Sequence, residues 1–418
     1  MIDPELRKLV PSHVREEQIV DYDYLTDYRI KRVDDVQLGM HALHSDSPDI
    51  FYSPRNGGFW VITRLDLMSK VLPDTEHFSN RVLEIPRIYS DNLMIPLNLD
   101  PPDHMPFRMV LMRHFDPKTI RAMEPVVRTW ANRLIDAFID KGRCEFAEEI
   151  GAGFPVSVFM QLMGYPLERF EEFRSIMHDF FSPEISAPDR VKVQDKIIRI
   201  VSEYFEMRRK EPRDDLLTKL LNEKVKDRPL TSDELNSIGF LLFLAGLDTV
   251  ANTLTFTFNH LAQDPELQAR LAAEPAVIPT FVEEALRRFS IVQQPRICKK
   301  DVEFHGAQIR EGDMVVCSLP LAGMDERKNP NPEIFDLDRK SRAHIAFSTG
   351  PHTCIGNYLA RLEMRVLTEE WTKRIPKFWR APGTRPEWRS GGVAALSKVH
   401  LEWRAPAPAS GGATGQPS

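Results

Sequence analysis

Cys354 lies in the loop FSTGPHTCIG between Gly350 and Gly356, with His352 two residues before it and Phe347 seven before. A thiol so placed is open to four readings. A nucleophile needs a base to orient and activate it, and His352 is the one base close in sequence. A zinc site needs three or four ligands, more than this neighbourhood supplies. A buried structural thiol needs no partner at all. A thiolate ligand to an iron porphyrin needs a tight loop that points N–H groups at the sulfur and a following helix whose positive end favours the anion. Glycines at 350 and 356 would let the backbone pass close to a flat macrocycle. The residues of the loop alone leave all four open.

Two other pairs have types that do chemistry. Asp248 and Thr249 stand side by side in AGLDTV, inside the most apolar stretch of the chain. An acid and a hydroxyl there are costly unless they are partnered or used. Glu284 and Arg287, in EALR, have the i,i+3 spacing of an ion pair, which is common on solvated helices and carries no function by itself.

The elements that must position these residues are mostly helical. Apolar residues recur at three and four in VVRTWANRLIDAFI and KIIRIVSEYFEMRR. The segment from Ser232 to Pro265 reads as one long helix, with Thr231 and Glu234 at capping-box spacing and Asp264-Pro265 at its end. Roughly thirty residues at ~1.5 Å each span about 45 Å, enough to cross a domain. Its middle is apolar nearly all round, which predicts a central, buried helix. DIFYS and GFWVIT, separated by PRNGG, predict a hairpin, and short strands return after residue 290 in RICKK, VEFHG and MVVCSL. The fold class is therefore mainly α with a minor β part. It reads as one large domain over residues 1–404, followed by a low-complexity, disordered tail at 405–418.

Composition removes several function classes. A net charge of −6 argues against a general nucleic-acid binder. Cys144, Cys298, Cys317 and Cys354 are scattered without a C-x-x-C pair, the pattern of a reducing compartment. MIDPELRKLV is too charged for a secretory leader, and the longest apolar run, IGFLLFLAGL, is about half a membrane span. These features predict a soluble cytoplasmic protein, monomeric, with no membrane and no nucleic-acid partner.

FSTGPHTCIG resembles the F-x-x-G-x-H-x-C-x-G signature of the cytochrome P450 monooxygenases, with Phe347, Gly350, His352, Cys354 and Gly356 at its fixed positions. AGLDTV resembles that family's oxygen-binding motif, EALR its E-x-x-R pair, and NPEIFDLDR the meander that partners the pair. The resemblance implies a haem-thiolate monooxygenase fold, haem b as cofactor and Cys354 as the iron ligand. It implies that His104, Arg108, Arg296 and His352 hold the haem propionates and that Phe347 shields the sulfur. Asp248 and Thr249 would deliver protons, with Gly246 loosening the helix beside them, while O2 is reductively activated and hydroxyl returned to an unactivated C–H bond. No flavin or nicotinamide fingerprint is present. A [2Fe–2S] ferredoxin fed by an NADH-dependent reductase is the implied electron source, docking on a basic patch with Arg108, Arg342 and Arg361 as candidates. A peroxide-driven peroxygenase and a non-enzymatic haem sensor are the alternatives.

Within the family, EEALRRFSIV, EFHG, MDER and the segment after Cys354 resemble the bacterial camphor hydroxylase group. By the same resemblance the substrate contacts are Tyr89, Asn92, Met94, Leu97, Leu241, Leu244, Ala245, Val292, Gln294 and Val393. Asn92 or Tyr89 would be the polar anchor, since this chain has Asn92 where camphor hydroxylase has a tyrosine. The pocket implied is apolar with at most one polar handle, suited to a small terpenoid: cineole-like, norisoprenoid or camphor-like.

Overall fold

The computed structural model describes residues 3–405 apart from 32, 34, 88–92 and 182–184. The expected tail, from 406 onward, lies outside the described residues. In the PRNGG turn Asn56, Gly57 and Gly58 take φ of 53°, 87° and 82°. The chain therefore folds back, and β1 (Ile50–Ser53) pairs antiparallel with β2 (Phe59–Ile62), Phe51 opposite Val61 and Tyr52 opposite Trp60. The expected hairpin is present. β3 (Phe78–Ser79), β4 (Gln293–Cys298) and β5 (Met314–Ser318) complete a sheet of order β1-β2-β5-β4-β3. Every residue of β5 is buried, as its unbroken apolar run requires of a strand covered on both faces. Its antiparallel register with β4 sets Gln294 opposite Cys317 and Arg296 opposite Val315.

The expected long helix forms, but not as one piece. Its capping box closes as predicted, with Glu234 N–H donating to Thr231 Oγ1 at 3.2 Å and Thr231 N–H to Glu234 Oε2 at 2.8 Å. Ser232–Leu247 and Thr249–Leu261 are then separated at Asp248, whose φ and ψ are −117° and −40°. Asn252 Nδ2 donates to the Asp248 carbonyl at 2.9 Å, and Thr249 Oγ1 to the Ala245 carbonyl at 3.4 Å. Neither bond takes the Asp248 carbonyl out of the ladder, since the Asn252 N–H still donates to it at 3.1 Å. By length and composition Ser232–Leu261 is the one described helix stretch that could cross a bilayer, yet 65% of its apolar window is buried inside the protein.

Gly246, expected to loosen the helix, also has a packing reason. A Cβ there would lie 2.3 Å from Phe159 Cδ2, so glycine lets the helix Gly153–Met163 press against the central one.

The helix after the cysteine loop, Asn357–Arg374, buries Leu359, Leu362, Val366, Leu367 and Trp371. Trp371 stacks edge-on against Phe258 at 5.4 Å and Phe146 at 5.5 Å, which locks this helix to the central one. Its outer face is tied to the helix Glu124–Phe138 by Arg365 to Glu124 at 2.6 Å and Arg128 to Glu369 at 2.7 Å. Behind it, Glu284 and Arg287 are both 0% exposed and 2.7 Å apart. Arg287 also donates to the Gly323, Pro332 and Ile334 carbonyls, and Arg339 joins Glu284 at 3.2 Å. The pair is thus no solvated helix pair; it pins the irregular 323–339 segment behind the cysteine helix.

Candidate active site

The cysteine loop is closed by the Cys354 N–H, which donates to the Phe347 carbonyl at 2.8 Å. Gly350 takes φ 75°, and a Cβ on it would sit 2.7 Å from Pro73 Cβ, so only glycine fits. Gly356 is different: its φ is −80°, and an added Cβ would make ordinary contact with Cys354 Sγ at 3.9 Å. It serves as the helix N-cap beside the sulfur. Burial pushes the Cys354 thiol up, opposed by the Gly356 N–H and by the Arg108 and Arg361 charges. The sulfur lies deep in the protein, yet the residue keeps accessible surface, as a ligand to a group seated against it requires. Phe347 lies under the Arg361 guanidinium, 4.6 Å from its ring centre.

Beside the loop the fold gathers buried ring and guanidinium nitrogens that no described residue hydrogen-bonds. The rings of His104 and His352 are 4.2 Å apart. Both His104 nitrogens, His352 Nε2 and Arg296 Nη2 are buried without a hydrogen-bond partner. Arg296 is 1% exposed and spends Nη1 on the Pro295 carbonyl at 2.8 Å. Arg108 donates to the Thr353 carbonyl. Burial, with neighbouring cations, pulls His104 to about 4 and His352 to about 3, so both imidazoles are neutral donors at physiological pH. Burial lowers Arg296 to about 10, which still leaves it charged. An unpaired buried cation beside orphaned N–H donors is unstable in isolation and calls for an anionic group. A haem fits this donor set: one sulfur for the iron, and N–H groups for two carboxylates.

On the central helix, Asp248 is half-buried, but its Oδ2 is sealed from solvent and unpartnered. Burial raises its carboxyl, opposed by Arg389 and Asn252. Thr249 follows it in sequence, its hydroxyl turned back to the Ala245 carbonyl. The exposed surface of Ala245 in the middle of this helix parallels that of Cys354.

Of the expected substrate contacts, Leu241, Leu244 and Ala245 fall on one helix face by their spacing, with Leu244 buried. Val292 and Val393 meet across an isolated antiparallel β-bridge. Gln294 Oε1 is buried without a partner. Met94 N–H donates to Asn98 Oδ1 at 2.9 Å, and the Leu97 carbonyl accepts from Asn80 Nδ2 at 3.2 Å, so side-chain amides fix this stretch of loop. Tyr89 and Asn92 lie outside the described residues.

The expected basic docking patch is not free. Arg361 pairs with Glu283 at 2.6 Å, Arg342 lies 3.8 Å from Glu284 and donates to the Leu337 carbonyl, and Arg108 is held by Thr353. Sequence spacing gave no sign of these carboxylates, which come from distant segments. The helix His104–Met112 instead exposes Met105, Met109 and Met112 along one face.

Two residues escaped the sequence reading, one beside Asp248 and one on the helix after the cysteine loop. Arg389 reaches Asp248 electrostatically from a strand that no periodicity ties to the central helix. Glu363 is fully buried, and burial alone pushes its carboxyl well above the usual range. Its position in the stripe Leu359, Leu362, Val366 was a legible signal, because an acid in register with buried apolar residues must itself be buried.

Comparison with known proteins agrees with this geometry. The family model described as Cytochrome P450 matches residues 154–371. The chain is 37% identical over 375 residues to the probable cytochrome P450 127A1 of Sinorhizobium fredii, covering 88% of this chain and 90% of the relative. Among solved structures, CYP101J2 superposes with a TM-score of 0.86 at 34% identity, over 94% of this chain and 99% of the other. CYP101C1 gives 0.87 at 30% identity, over 95% and 100%.

Proposed function

Since the chain belongs to the cytochrome P450 family, whose members are haem-b monooxygenases, we propose that it hydroxylates an unactivated C–H bond of a small apolar terpenoid, drawing electrons from a [2Fe–2S] ferredoxin and its NADH-dependent reductase in the cytoplasm. The observation that carries the cofactor assignment is the set of orphaned donors, His104, His352 and Arg296, beside the Cys354 loop. Haem supplies the redox chemistry, with thiolate ligation favouring O–O cleavage.

The chain's own residues do the rest. Cys354 is the ligand, held by the Phe347 carbonyl and the Gly356 N–H. His104, His352 and Arg296 bind the two propionates, and Arg108 braces the loop through Thr353. Thr249 Oγ1 holds a proton at the pocket. The Asp248 carboxyl, raised by burial and therefore able to carry a proton nearer neutrality, resupplies it. The break in the helix at Asp248 gives that side chain room to alternate between interior and solvent. An acid–alcohol pair is unnecessary to a peroxide-driven enzyme, and its presence here favours O2.

Thr249→Ala should keep substrate binding and NADH consumption while electrons go to peroxide or water instead of product. Asp248→Asn should slow product formation on the order of 100-fold, the scale of a lost general acid. NADH consumed, peroxide released and product formed are measured together. Full coupling at parental rate in both variants would place proton delivery elsewhere.

The terpenoid reading rests on the resemblance and on the apolar character of the residues it names, among them Val292 paired with Val393 and the buried Leu244. One hydrogen bond from a buried anchor is worth roughly 0.5–1.5 kcal/mol, about two- to tenfold in affinity. With Asn92 in place of a tyrosine anchor, camphor should bind less tightly than cineole or an ionone, and Asn92→Tyr should move preference back toward the ketone. The test is a titration of the substrate-induced spin-state change with all three. Camphor as the tightest ligand of the parent would reject Asn92 as the anchor and move suspicion to Tyr89.

A further inference from the structure

The short helices Val36–His41 and Leu43–Asp46 bring His41 and His44 to the carboxylate of Glu326, a cluster that shares no residue with the haem site. We propose that His41, His44 and Glu326 form a binding site for one divalent transition-metal ion, Zn2+ foremost.

His44 anchors the cluster. Its Nε2 lies 2.9 Å from the Thr63 carbonyl, which can only accept, so Nε2 carries the proton and Nδ1 of the neutral ring carries a lone pair. The side chain is 3% exposed, and Nδ1 has no hydrogen-bond partner. It faces Glu326 Oε2 at 3.2 Å, and His41 Nε2 lies 3.7 Å from the same oxygen. All three ligand atoms fall within 4.8 Å of one another. The lone pairs of His44 Nδ1 and Glu326 Oε2, 3.2 Å apart, repel unless a cation or a proton lies between them. Tetrahedral zinc with bonds of ~2.0–2.1 Å separates its ligands by about 3.4 Å, close to the two spacings from the imidazoles to Glu326 Oε2.

The surroundings suit an ion as well. The Thr63 carbonyl fixes the His44 tautomer, as an outer partner of a metal-bound imidazole does. Arg64 donates to Glu326 Oε1 at 2.7 Å, which leaves Oε2 free for the ion. The Arg64 charge is itself offset by Asp49 at 2.8 Å and Asp325 at 3.1 Å. Glu326 is 45% exposed, so an ion reaches the cluster from solvent and keeps a coordination position facing it. Two imidazoles and one carboxylate favour zinc, cobalt, nickel or copper over calcium or magnesium. Bound there, the ion would clamp the two N-terminal helices to the 325–326 segment.

The haem-loaded protein is the material to test, because haem occupies Cys354, and Cys144, Cys298 and Cys317 are buried. After treatment with a chelator it is titrated with Zn2+ against a chromophoric indicator, and with Co2+ while visible absorption is followed. One Zn2+ per chain and intense tetrahedral cobalt bands are expected. His41→Ala and Glu326→Gln should each weaken binding by more than about 100-fold, beyond the loss produced by outer-shell changes. Zn2+ should raise the unfolding temperature of the parent and leave that of the variants unchanged. An unaltered carbon monoxide spectrum checks that each variant is folded. No stoichiometric zinc in the parent, or equal affinity in parent and His41→Ala, overturns the site.

Discussion

Cys354→His is expected to reduce C–H hydroxylation to background while the protein still folds and takes up some haem. No other thiol can take over: Cys144 is buried and pushed up by burial, and Cys298 and Cys317 sit buried in the sheet strands β4 and β5, with thiols pushed by burial to about 11 and about 12. Histidine supplies a neutral nitrogen, which can hold iron but lacks the electron donation that makes the thiolate useful. The loop itself should survive, since its closure uses the main-chain N–H of residue 354 and the glycine at 350. Haem content, the carbon monoxide spectrum and product formation are measured on the same preparation. A variant that binds haem and retains turnover within tenfold of the parent would contradict the assignment of Cys354.

Glu284→Gln should destabilise the protein by about 3–5 kcal/mol, the cost of breaking a buried ion pair from one side. The size follows from what remains. Arg287 and Arg339, 0% and 5% exposed, would lose their shared carboxylate and be left facing each other. Glutamine keeps the shape and one acceptor oxygen but not the charge. Replacing the pair with apolar residues should not rescue stability here, although it often does elsewhere. Arg287 also satisfies three main-chain carbonyls in the 323–334 segment, which would lose their donor. Against a typical total of 5–15 kcal/mol, such a loss should lower the unfolding midpoint sharply and impair haem retention. An unfolding free energy within ~1 kcal/mol of the parent would mean that this network does not stabilise the fold.

The parts of the fold written in local chemistry were legible in the sequence. PRNGG specifies a turn through positive φ at Asn56 and the two glycines, so the hairpin followed. Thr231 and Glu234 announce a helix start by reciprocal bonds that depend only on residues three apart. His104 and Arg108, placed on one helix face by i,i+4 spacing, do reach the Cys354 loop. What stayed hidden depends on partners far away in the chain. The collision between Gly246 and Phe159 belongs to two helices whose packing no periodicity announces. Of the arginines expected to form a docking patch, Arg361 and Arg342 lie against Glu283 and Glu284 and Arg108 donates to the Thr353 carbonyl, partners from distant segments that charge counted along the sequence does not reveal. The interruption at Asp248 is a local change of main-chain angles, to which a hydropathy pattern is blind.

The central claim is that Cys354 presents a thiolate to haem iron. The absorption spectrum of the purified, reduced protein under carbon monoxide tests it most directly. The account predicts a red-shifted Soret band of the thiolate-ligated complex at one haem per chain, lost in Cys354→His. A haem-loaded parent whose band stays at the position given by a neutral nitrogen ligand, or a folded parent that takes up no haem at all, would contradict it.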